Sequence, residues 1–466
     1  MPRRKKVFQV TIGKKILPYK DAIMNDLAKL VAIPSVCTAP EDGKPFGKES
    51  ARALQEILRM AKDMGFAVKN VGNYAGHAEY GEGSESAAVI AHVDVVPAGD
   101  GWNSDPFRLT QKGNLWYGRG AADDKGAAVA ALYCLKALKD AGVTGKRKIR
   151  VIFGAGEEIA SDDLAMYFNS EPMPVMAFTP DSDYGICNRE KGILRVKLSA
   201  DGKSVGKIHS ITAGTVVNAV PDKAEAVVPV EFEEKLRAAA AKFEGQFRFE
   251  ETSEGVKILS FGKACHAMQP EAGFNAATHL IALLTKALSA DELGAFPAFL
   301  NQTIGTETDG ASMGVCLSDE PSGPLTLNVG LVRINSASAD VTIDIRYPVT
   351  LQGKQIFRTI REKTEKAAFR ADMLLDNEPL YFPEDHPLVH LLQDAYCAVK
   401  GVPAEVYATG GGTYAREVPG RAVAFGPFFP DEPDRGLHNA NENIDINRFM
   451  EHAQICLEAM YRMMTL

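Results

Sequence analysis

Residues 87–102 read AAVIAHVDVVPAGDGW, an apolar run that ends in a histidine and an aspartate. The run from Ala87 to His92 has the length of a buried strand, and residues i and i+2 of a strand point to the same face. His92 and Asp94 are therefore presented together where this strand ends. A metal-binding histidine usually needs an acceptor for its second ring nitrogen, and Asp94 is placed to supply one. By itself such a pair is weak evidence of function, because most His-x-Asp pairs are structural.

Three further acidic segments follow strand-like runs later in the chain. Residues 118–126 (GRGAADDKG) come after a strand-like LWY and open an Ala-rich helix, and Glu157 and Glu158 follow the run KIRVIF. Asp181 and Asp183 lie in TPDSD, after another strand-like run. Ligands of open α/β sheets collect outside the carboxyl ends of the strands. We therefore expect these acids to meet His92 at one edge of a sheet.

Each segment also has an ordinary structural interpretation when it is taken alone. Asp123 or Asp124 could cap the helix that follows, although capping needs only one of the two acids. The glutamates could form an exposed acidic loop, and His438 in LHNANE could be a solvated loop residue. The joint occurrence favours a metal site. Histidine and carboxylate ligands suit zinc, with manganese or cobalt as alternatives, and so many carboxylates favour two ions that share a bridging carboxylate.

The order of strand-like and helical runs indicates an α/β protein with an insertion. Strands alternate with helices over residues 1–187, which predicts the first part of a catalytic domain with a mostly parallel central sheet and helices on both faces. Residues 188–384 carry strand-like runs and one helical stretch, the pattern of an α+β lid domain. Residues 385–466 return to helix and complete the catalytic domain.

Composition limits the classes of function. The chain has 466 residues and a net charge of −8, which argues against binding to nucleic acid. No run approaches the ~18 apolar residues of a membrane span. The start of the chain, VFQVT at residues 7–11, is not a long apolar stretch, so we expect no secretory signal. Seven scattered cysteines without CxxC spacing indicate reduced thiols, and together these features predict a cytoplasmic protein.

The motifs HVDVVPAGDGW, GRGAADDKG, GEE, TPDSD, GGTYAR and LHNANE occur in this order along the chain. In that order they resemble the M20 metallopeptidase family, and within it the PepV-like dipeptidase branch. Members of that branch cleave dipeptides, including those with an N-terminal β-alanine. The resemblance extends from His92 to the closing helix. It implies a metallo-dipeptidase with two zinc ions, for which manganese or cobalt could substitute.

The resemblance also assigns the metal ligands. It implies that His92 and Asp181 bind one zinc, that Glu158 and His438 bind the other, and that Asp123 bridges both. In the family a cis peptide bond follows the bridging aspartate.

Further residues take catalytic or substrate-binding roles by the same resemblance. Glu157 matches the general base that takes a proton from the metal-activated water, Asp94 orients His92, and His266 in GKACHAMQPEAGFNA stabilises the transition state. The implied substrate-binding residues are Asn218 and Arg346, which would hold the terminal carboxylate, and the loop residues Gly411, Gly412 and Thr413. By default Asn218 would be a turn former and Arg346 a solvated edge residue.

The length of the insertion bears on oligomeric state. It is about twice what a dimerisation lid needs in related branches, where a partner subunit donates the catalytic histidine. A long lid resembles the branch in which one chain supplies every group, so we expect a monomer that acts on small peptides.

Two other functions remain open at the level of sequence. A relative with the same fold could remove acyl groups from N-acyl amino acids, and the metal ligands do not separate that activity from dipeptide hydrolysis. A non-catalytic binding protein would lack a ligand or the base, and all of these residue types are present.

Overall fold

The computed structural model describes residues 11–159, 162–243 and 245–466. Residues 7–10, on which the expectation of no secretory signal partly rests, lie outside this part of the chain. Within it, every helix is too short or too polar to cross a membrane.

The helices of the described residues include the Ala-rich helix that the sequence predicts after residues 118–126. They are α1 (Lys20–Val31), α2 (Lys48–Asp63), α3 (Lys125–Asp140), α4 (Asp163–Phe168), α5 (Glu233–Ala240), α6 (Ala276–Ala287), α7 (Ala290–Leu293), α8 (Ala295–Thr303), α9 (Gly353–Lys366), α10 (Pro387–Lys400) and α11 (Ile446–Thr465).

The strands include each apolar run named in the sequence analysis. They are β1 (Ala67–Val71), β2 (Ala75–Tyr80), β3 (Ser86–His92), β4 (Thr110–Lys112), β5 (Leu115–Tyr117), β6 (Lys148–Gly154), β7 (Met176–Thr179), β8 (Ser182–Asp183), β9 (Ile186–Glu190), β10 (Gly192–Asp201), β11 (Ser210–Ala213), β12 (Lys223–Val228), β13 (Gln246–Thr252), β14 (Gly255–Phe261), β15 (Ser318–Asp319), β16 (Gly323–Pro324), β17 (Thr326–Asn335), β18 (Ser338–Tyr347), β19 (Arg370–Asn377), β20 (Leu380–Tyr381), β21 (Val406–Thr409), β22 (Ala422–Ala424), β23 (Pro427–Phe428) and β24 (Asn443–Asp445).

The chain divides into two compact units. The first unit comprises Met1–Asn188, Phe382–Tyr407 and Gly412–Leu466, and the second comprises Arg189–Tyr381 with Ala408–Gly411. The predicted boundaries lay at 187/188 and 384/385. The main difference is the segment Ala408–Gly411. It belongs to the second unit, although the residues before and after it in the chain belong to the first unit.

The first unit contains a central sheet of order β1-β2-β6-β3-β7-β22-β9. The four middle strands run parallel to one another, while β1, β2 and β9 pair antiparallel. Helices α2 and α4 contact β2, and α3 and α11 contact β3 and β6. The inner strands are fully buried, with Val89, Val151 and Phe178 each 0% exposed. This confirms the predicted α/β fold, because strands covered on both faces are apolar throughout.

The second unit is built on an eight-stranded sheet of order β13-β14-β12-β11-β17-β18-β10-β19. All neighbouring strands in it pair antiparallel. Helix α6 packs against β12 and β14, and α9 packs against β10 and β19. One apolar core runs between sheet and helices, with Leu194, Ile258 and Ile343 at 0% exposure. The insertion is therefore an α+β unit, as the sequence predicts.

A buried histidine in the first unit makes stability depend on pH. His452 on α11 is fully buried, its Nδ1 lies 3.0 Å from the Tyr184 hydroxyl, and burial lowers its pKa to about 3. In the unfolded chain the pKa of a histidine is about 6.5. As the pH falls, the unfolded chain therefore takes up a proton at this residue before the folded protein does. The contribution of neutral His452 to the free energy of unfolding is fully present above pH ~6.5 and is lost as the pH falls towards 3.

Comparison with His452→Phe measures this effect. In urea titrations at pH 7, 6, 5 and 4, we expect the unfolding free energy of the wild type to fall relative to the variant by up to about 1.4 kcal/mol per pH unit below pH ~6. The exposed His390 provides the control, and His390→Phe should leave the slope unchanged. Parallel curves for the wild type and His452→Phe would contradict the assignment.

Candidate active site

Three of the predicted chemical groups lie at neighbouring strand ends. His92 is the last residue of β3, Glu157 and Glu158 follow β6, and Asp181 follows β7. Because β6, β3 and β7 are adjacent and parallel, their carboxyl ends open at one edge of the sheet. Asp123 arrives differently. The preceding strand β5 belongs to a separate three-stranded sheet, so a loop carries Asp123 to this edge.

Five side chains form two overlapping groups with the spacing of metal ligands. His92, Asp123 and Asp181 make one group, and Asp123, Glu158 and His438 make the other, with the ligand atoms of each group within 4.8 Å of one another. Nε2 of His92 lies 3.0 Å from Oδ1 of Asp123, and Nε2 of His438 lies 3.1 Å from Oδ2 of the same residue. Asp123 is therefore the shared member, with one oxygen directed at each histidine.

Asp124, the second acid of the pair, does not cap α3. It occupies the N-cap position, but its side chain makes no capping hydrogen bond. Instead its Oδ2 accepts a hydrogen bond from the backbone N–H of His92 at 3.2 Å, and the Asp123–Asp124 peptide bond is cis. The two adjacent acids therefore have different contacts. Asp123 faces the histidine side chains, whereas Asp124 binds the backbone at the end of β3.

The carboxylate of Asp94 contacts groups that follow two neighbouring strands, β3 and β6. Its carboxylate Oδ1 lies 3.4 Å from Nδ1 of His92, whose ring nitrogen is also 3.2 Å from the Asp94 carbonyl oxygen. The same carboxylate accepts hydrogen bonds from the N–H groups of Glu157 at 3.2 Å and Glu158 at 3.0 Å. A thiol, Cys37, donates to its Oδ2 at 3.5 Å. Asp94 therefore contacts the His92 ring and the turn that carries the two glutamates.

The pKa values show how densely negative charge is packed here. Burial, followed by the charges of Asp123 and Glu157, raises the pKa of Asp181 well above its ordinary value. Hydrogen bonds to Asp123 and Glu158 raise the pKa of His438 to about 10. Burial opposes ionisation of Asp123, but hydrogen bonds from His438 and His92 lower its pKa. Carboxylates outnumber the cationic groups that compensate them, which favours the binding of added positive charge.

This donor set fits divalent cations. Each group combines one imidazole nitrogen with carboxylate oxygens, the ligand mixture that zinc accepts and that also suits manganese. Without a cation the histidines hold protons between the same carboxylates. Metal and proton therefore compete for these atoms, as expected of a metal site.

Glu157 belongs to neither ligand group. Burial, then the neighbouring carboxylates Glu158, Asp123 and Asp94, raises its pKa to about 8, although the charge of His92 opposes the shift. A carboxylate with such a pKa is suited to accept and return a proton near neutral pH. A bound cation nearby would favour its ionised form.

Arg119 and Glu442 lie within the motifs GRGAADDKG and LHNANE, but neither had a predicted role. Glu442 is fully buried and accepts hydrogen bonds from the N–H groups of Gly120, Ala122 and Asp123 at 2.8–3.1 Å. It also pairs with the Arg119 guanidinium at 2.7 Å. The pair fixes the loop that carries Asp123. A charged residue inside a glycine-rich loop could have indicated such a pair, but its partner lies more than 300 residues away in the chain.

Arg119 also joins the loop that carries His438. Its Nη2 donates to the carbonyl oxygens of Pro97 and Ala98 at 3.3 Å and to that of Asn439 at 3.1 Å. The segments after Asp94, before Asp123 and after His438 therefore meet at one guanidinium group.

The second unit contains the predicted residues Asn218, His266 and Arg346. Asn218 and His266 lie on adjacent segments, since the N–H of Ala267 donates to the Asn218 carbonyl oxygen at 2.9 Å. Arg346 is 3% exposed on the interior strand β18, so the default expectation of a solvated edge residue was wrong. Its guanidinium pairs with Asp344 at 2.6 Å and donates to the carbonyl oxygen of Gly410 at 2.7 Å. An antiparallel sheet with a buried ion pair explains why Arg346 is not solvated.

The predicted substrate loop spans the division between the units. Gly411 belongs to the second unit and its N–H donates to the Thr409 hydroxyl at 3.1 Å. Gly412 and Thr413 belong to the first unit, where Oγ1 of Thr413 accepts from the N–H of Ala415 at 3.2 Å.

Comparison with known proteins identifies the family. Residues 88–463 match the sequence profile described as "Peptidase family M20/M25/M40". The chain belongs to this peptidase family. M20/M25/M40 enzymes are peptide hydrolases, and the matched segment contains every residue of the two ligand groups.

Relatives within the M20/M25/M40 family cover nearly the whole chain. "Putative dipeptidase YtjP" of Bacillus subtilis is 36% identical over 468 residues, which is 96% of this chain and 98% of that protein. A Staphylococcus aureus protein with the same dipeptidase description is 33% identical over 465 residues, again 96% of this chain and 98% of its own length.

Solved structures of M20-type enzymes share the fold. Human carnosine dipeptidase 1 aligns with a TM-score of 0.58 and 15% identity, over 98% of this chain and 99% of that one. The M20 family metallo-carboxypeptidase Sso-CP2 of Sulfolobus solfataricus aligns with a TM-score of 0.58 and 17% identity, over 95% and 99% of the two chains. The predicted fold class and the resemblance to the M20 family are therefore confirmed.

Proposed function

We propose that this peptidase is a dinuclear zinc-dependent dipeptidase that hydrolyses the peptide bond of short unblocked peptides. The observation that carries the proposal is the position of Asp123 between His92 and His438, with one carboxylate oxygen 3.0–3.1 Å from each histidine. The dipeptidase descriptions of the relatives support the substrate class.

The proposed metal ligands follow the two groups. His92 and Asp181 would hold one ion, Glu158 and His438 the other, and Asp123 would hold both. When bound, a zinc pair lowers the pKa of a water molecule towards neutrality and polarises the carbonyl group. Manganese or cobalt could replace zinc, because the donor set contains no thiolate.

The chain's own groups would handle the proton. Glu157, held at its backbone by Asp94, would accept a proton from the attacking water on its carboxylate and deliver it to the leaving amine. Asp94 would keep the His92 ring in position through its contact with Nδ1. Burial around Glu157 limits access of bulk water, which strengthens its interactions with the reacting groups.

Residues of the second unit would recognise the substrate. We propose that His266, which is exposed, stabilises the developing negative charge, and that Asn218 and Arg346 bind the terminal carboxylate. The backbone of Gly411, Gly412 and Thr413 would complete the binding of the peptide. One hydrogen bond joins the segments that carry His266 and Asn218, and another joins Arg346 to Gly410, which precedes Gly411; both support these roles.

We further propose that the protein acts as a cytoplasmic monomer. All seven cysteines are free, as in proteins of reducing compartments. The long inserted unit favours a single chain that supplies every group, and sedimentation velocity measures this directly.

A substrate panel tests the proposed activity. With metal-loaded enzyme, we expect kcat/KM for Leu-Leu or β-Ala-His to exceed that for N-acetyl-leucine by about 10- to 100-fold, because hydrogen bonds to a charged amino group contribute about 1.5–3 kcal/mol. The panel also includes the tripeptide Leu-Leu-Leu, which tests whether the enzyme accepts peptides longer than two residues. Faster hydrolysis of N-acetyl-leucine would instead indicate the deacylase alternative, and no hydrolysis at all would indicate a binding protein.

A further inference from the structure

A second buried carboxylate lies behind the turn that carries Glu157. Asp163, at the start of α4, is 0% exposed. Its Oδ2 accepts hydrogen bonds from the N–H groups of Ala155 and Gly156 at 3.0 Å each, and its Oδ1 accepts from the N–H of Leu164 at 2.7 Å. Burial raises the pKa of Asp163 to about 7, and the three N–H donors that converge on its two oxygens oppose this shift because they favour the ionised carboxylate.

Asp94 binds the next two backbone N–H groups of the same turn. It accepts from the N–H groups of Glu157 and Glu158, so four consecutive backbone N–H groups end on two buried carboxylates. This arrangement leaves the turn little freedom to shift. Asp163 had no predicted role, because it resembles an ordinary helix-starting acid, and Tyr414 entered only as part of the motif GGTYAR.

A tyrosine completes the group around Asp163. The hydroxyl of Tyr414, which is 4% exposed, donates to the same Oδ2. The Tyr414 ring also stands edge-on to the His92 ring, with centroids 6.2 Å apart and an interplanar angle of 89°. Tyr414 therefore touches both a proposed metal ligand and the carboxylate that holds the Glu157 turn.

Gly154 shows how closely these groups are packed. A Cβ atom on Gly154 would lie 1.8 Å from the Tyr414 hydroxyl oxygen and 2.7 Å from Oδ2 of Asp163. A side chain at position 154 would displace the pair. The end of β6 is thus shaped to admit the Tyr414–Asp163 hydrogen bond.

We propose that Tyr414 and Asp163 are positioning residues for the general base Glu157. Asp163 holds the N–H groups of Ala155 and Gly156, directly before the two N–H groups that Asp94 holds. Tyr414 directly follows Gly412 and Thr413 in the chain, so it also joins the proposed substrate loop to the turn that carries the base. The inference rests on the proposed function, since that function makes Glu157 the base.

The expected consequence is a loss of turnover rather than of binding. A base displaced by a fraction of an ångström still permits substrate to bind but transfers protons less efficiently, and a 1 Å error costs about 10²-fold. Removing one hydroxyl should cost less than that, because the two N–H groups of Ala155 and Gly156 still reach Asp163.

Tyr414→Phe tests the proposal, because it keeps the ring and removes only the hydroxyl. We expect kcat for Leu-Leu to fall about tenfold, with KM within about twofold of the wild type and unchanged metal content. In the metal-free protein, amide hydrogen exchange of a peptide spanning residues 151–159 should accelerate. Asp163→Asn is the second variant and should lower kcat further, because it places an amide group among N–H donors.

Tyr167→Phe is the matched control. Tyr167 is also buried and lies on the same helix, α4, as Asp163, but its hydroxyl lies 2.7 Å from Nδ1 of His77 rather than beside the Asp163 carboxylate. It should lower the melting temperature as much as Tyr414→Phe while keeping kcat and the exchange of residues 151–159.

Three results would overturn the positioning role: equal kcat in Tyr414→Phe and Tyr167→Phe, a rise in KM at constant kcat, or unchanged exchange at residues 151–159. Failure of the proposed function looks different. In that case the wild type would hydrolyse no peptide, or Glu157→Gln would retain full turnover, whereas the exchange measurement would still report whether Tyr414 holds the turn.

Discussion

Replacing Glu157 with glutamine is expected to lower kcat for dipeptide hydrolysis by about 10²- to 10⁴-fold while the protein keeps its metal ions. The reason is the position of Glu157, which lies beside both ligand groups and belongs to neither. Glutamine has nearly the same shape but cannot accept the proton of the attacking water. Steady-state kinetics with Leu-Leu and metal analysis of the same preparation measure the two quantities together.

The control for this variant removes a buried negative charge elsewhere in the first unit. Glu171 is 8% exposed and pairs with Lys69 and Arg150, so Glu171→Gln should reduce stability and leave kcat unchanged. Full turnover in Glu157→Gln would exclude Glu157 as the base. Loss of metal from that variant would instead make Glu157 a ligand.

Replacing Asp123 with alanine is expected to remove both metal ions, whereas replacing either histidine should remove one. Asp123 is the single residue common to the two ligand groups, and each of its oxygens faces one histidine. Since metal activation contributes several kcal/mol to such reactions, kcat/KM should fall by at least about 10³-fold in Asp123→Ala. Elemental analysis after dialysis should give two ions per chain for the wild type, one for His92→Ala or His438→Ala, and none for Asp123→Ala.

The surface variant Asp63→Ala is the control, since Asp63 pairs only with Arg59 at the end of α2. Two ions retained by Asp123→Ala would disprove a bridging role. One ion in the wild type, lost in both histidine variants, would indicate a mononuclear centre. Removal of metal by a chelator should abolish activity in the wild type, and added zinc should restore it.

Much of the fold could be predicted because local patterns determine it. The run from Ala87 to His92 and the run KIRVIF are apolar at nearly every position, and buried parallel strands have this composition. The switch to the second unit was also visible. Residues 188–384 carry the predicted strand-like runs and helical stretch, among them strand β18 and helix α6.

Part of the candidate site could be predicted for a similar reason. Parallel strands of one sheet place their carboxyl ends together, so His92, Glu158 and Asp181 follow from strand order. Asp123 was expected at the same edge because it follows the strand-like LWY, but that premise was wrong, since β5 lies in a separate sheet and a loop carries Asp123 to the site. His438 also lies on a loop, and only the motif order indicated that it belongs with the others.

The sequence by itself determined the fold class, the family and the residue types that can bind metal. Only the tertiary structure decided which buried groups hold those residues in place. Glu442 and Asp163 fix the backbone through hydrogen bonds from N–H groups, and Tyr414 reaches Asp163 across 251 positions of the chain. Such contacts leave no periodicity or spacing in the sequence, because a backbone N–H is the same at every residue and its partner is chosen by how the chain folds.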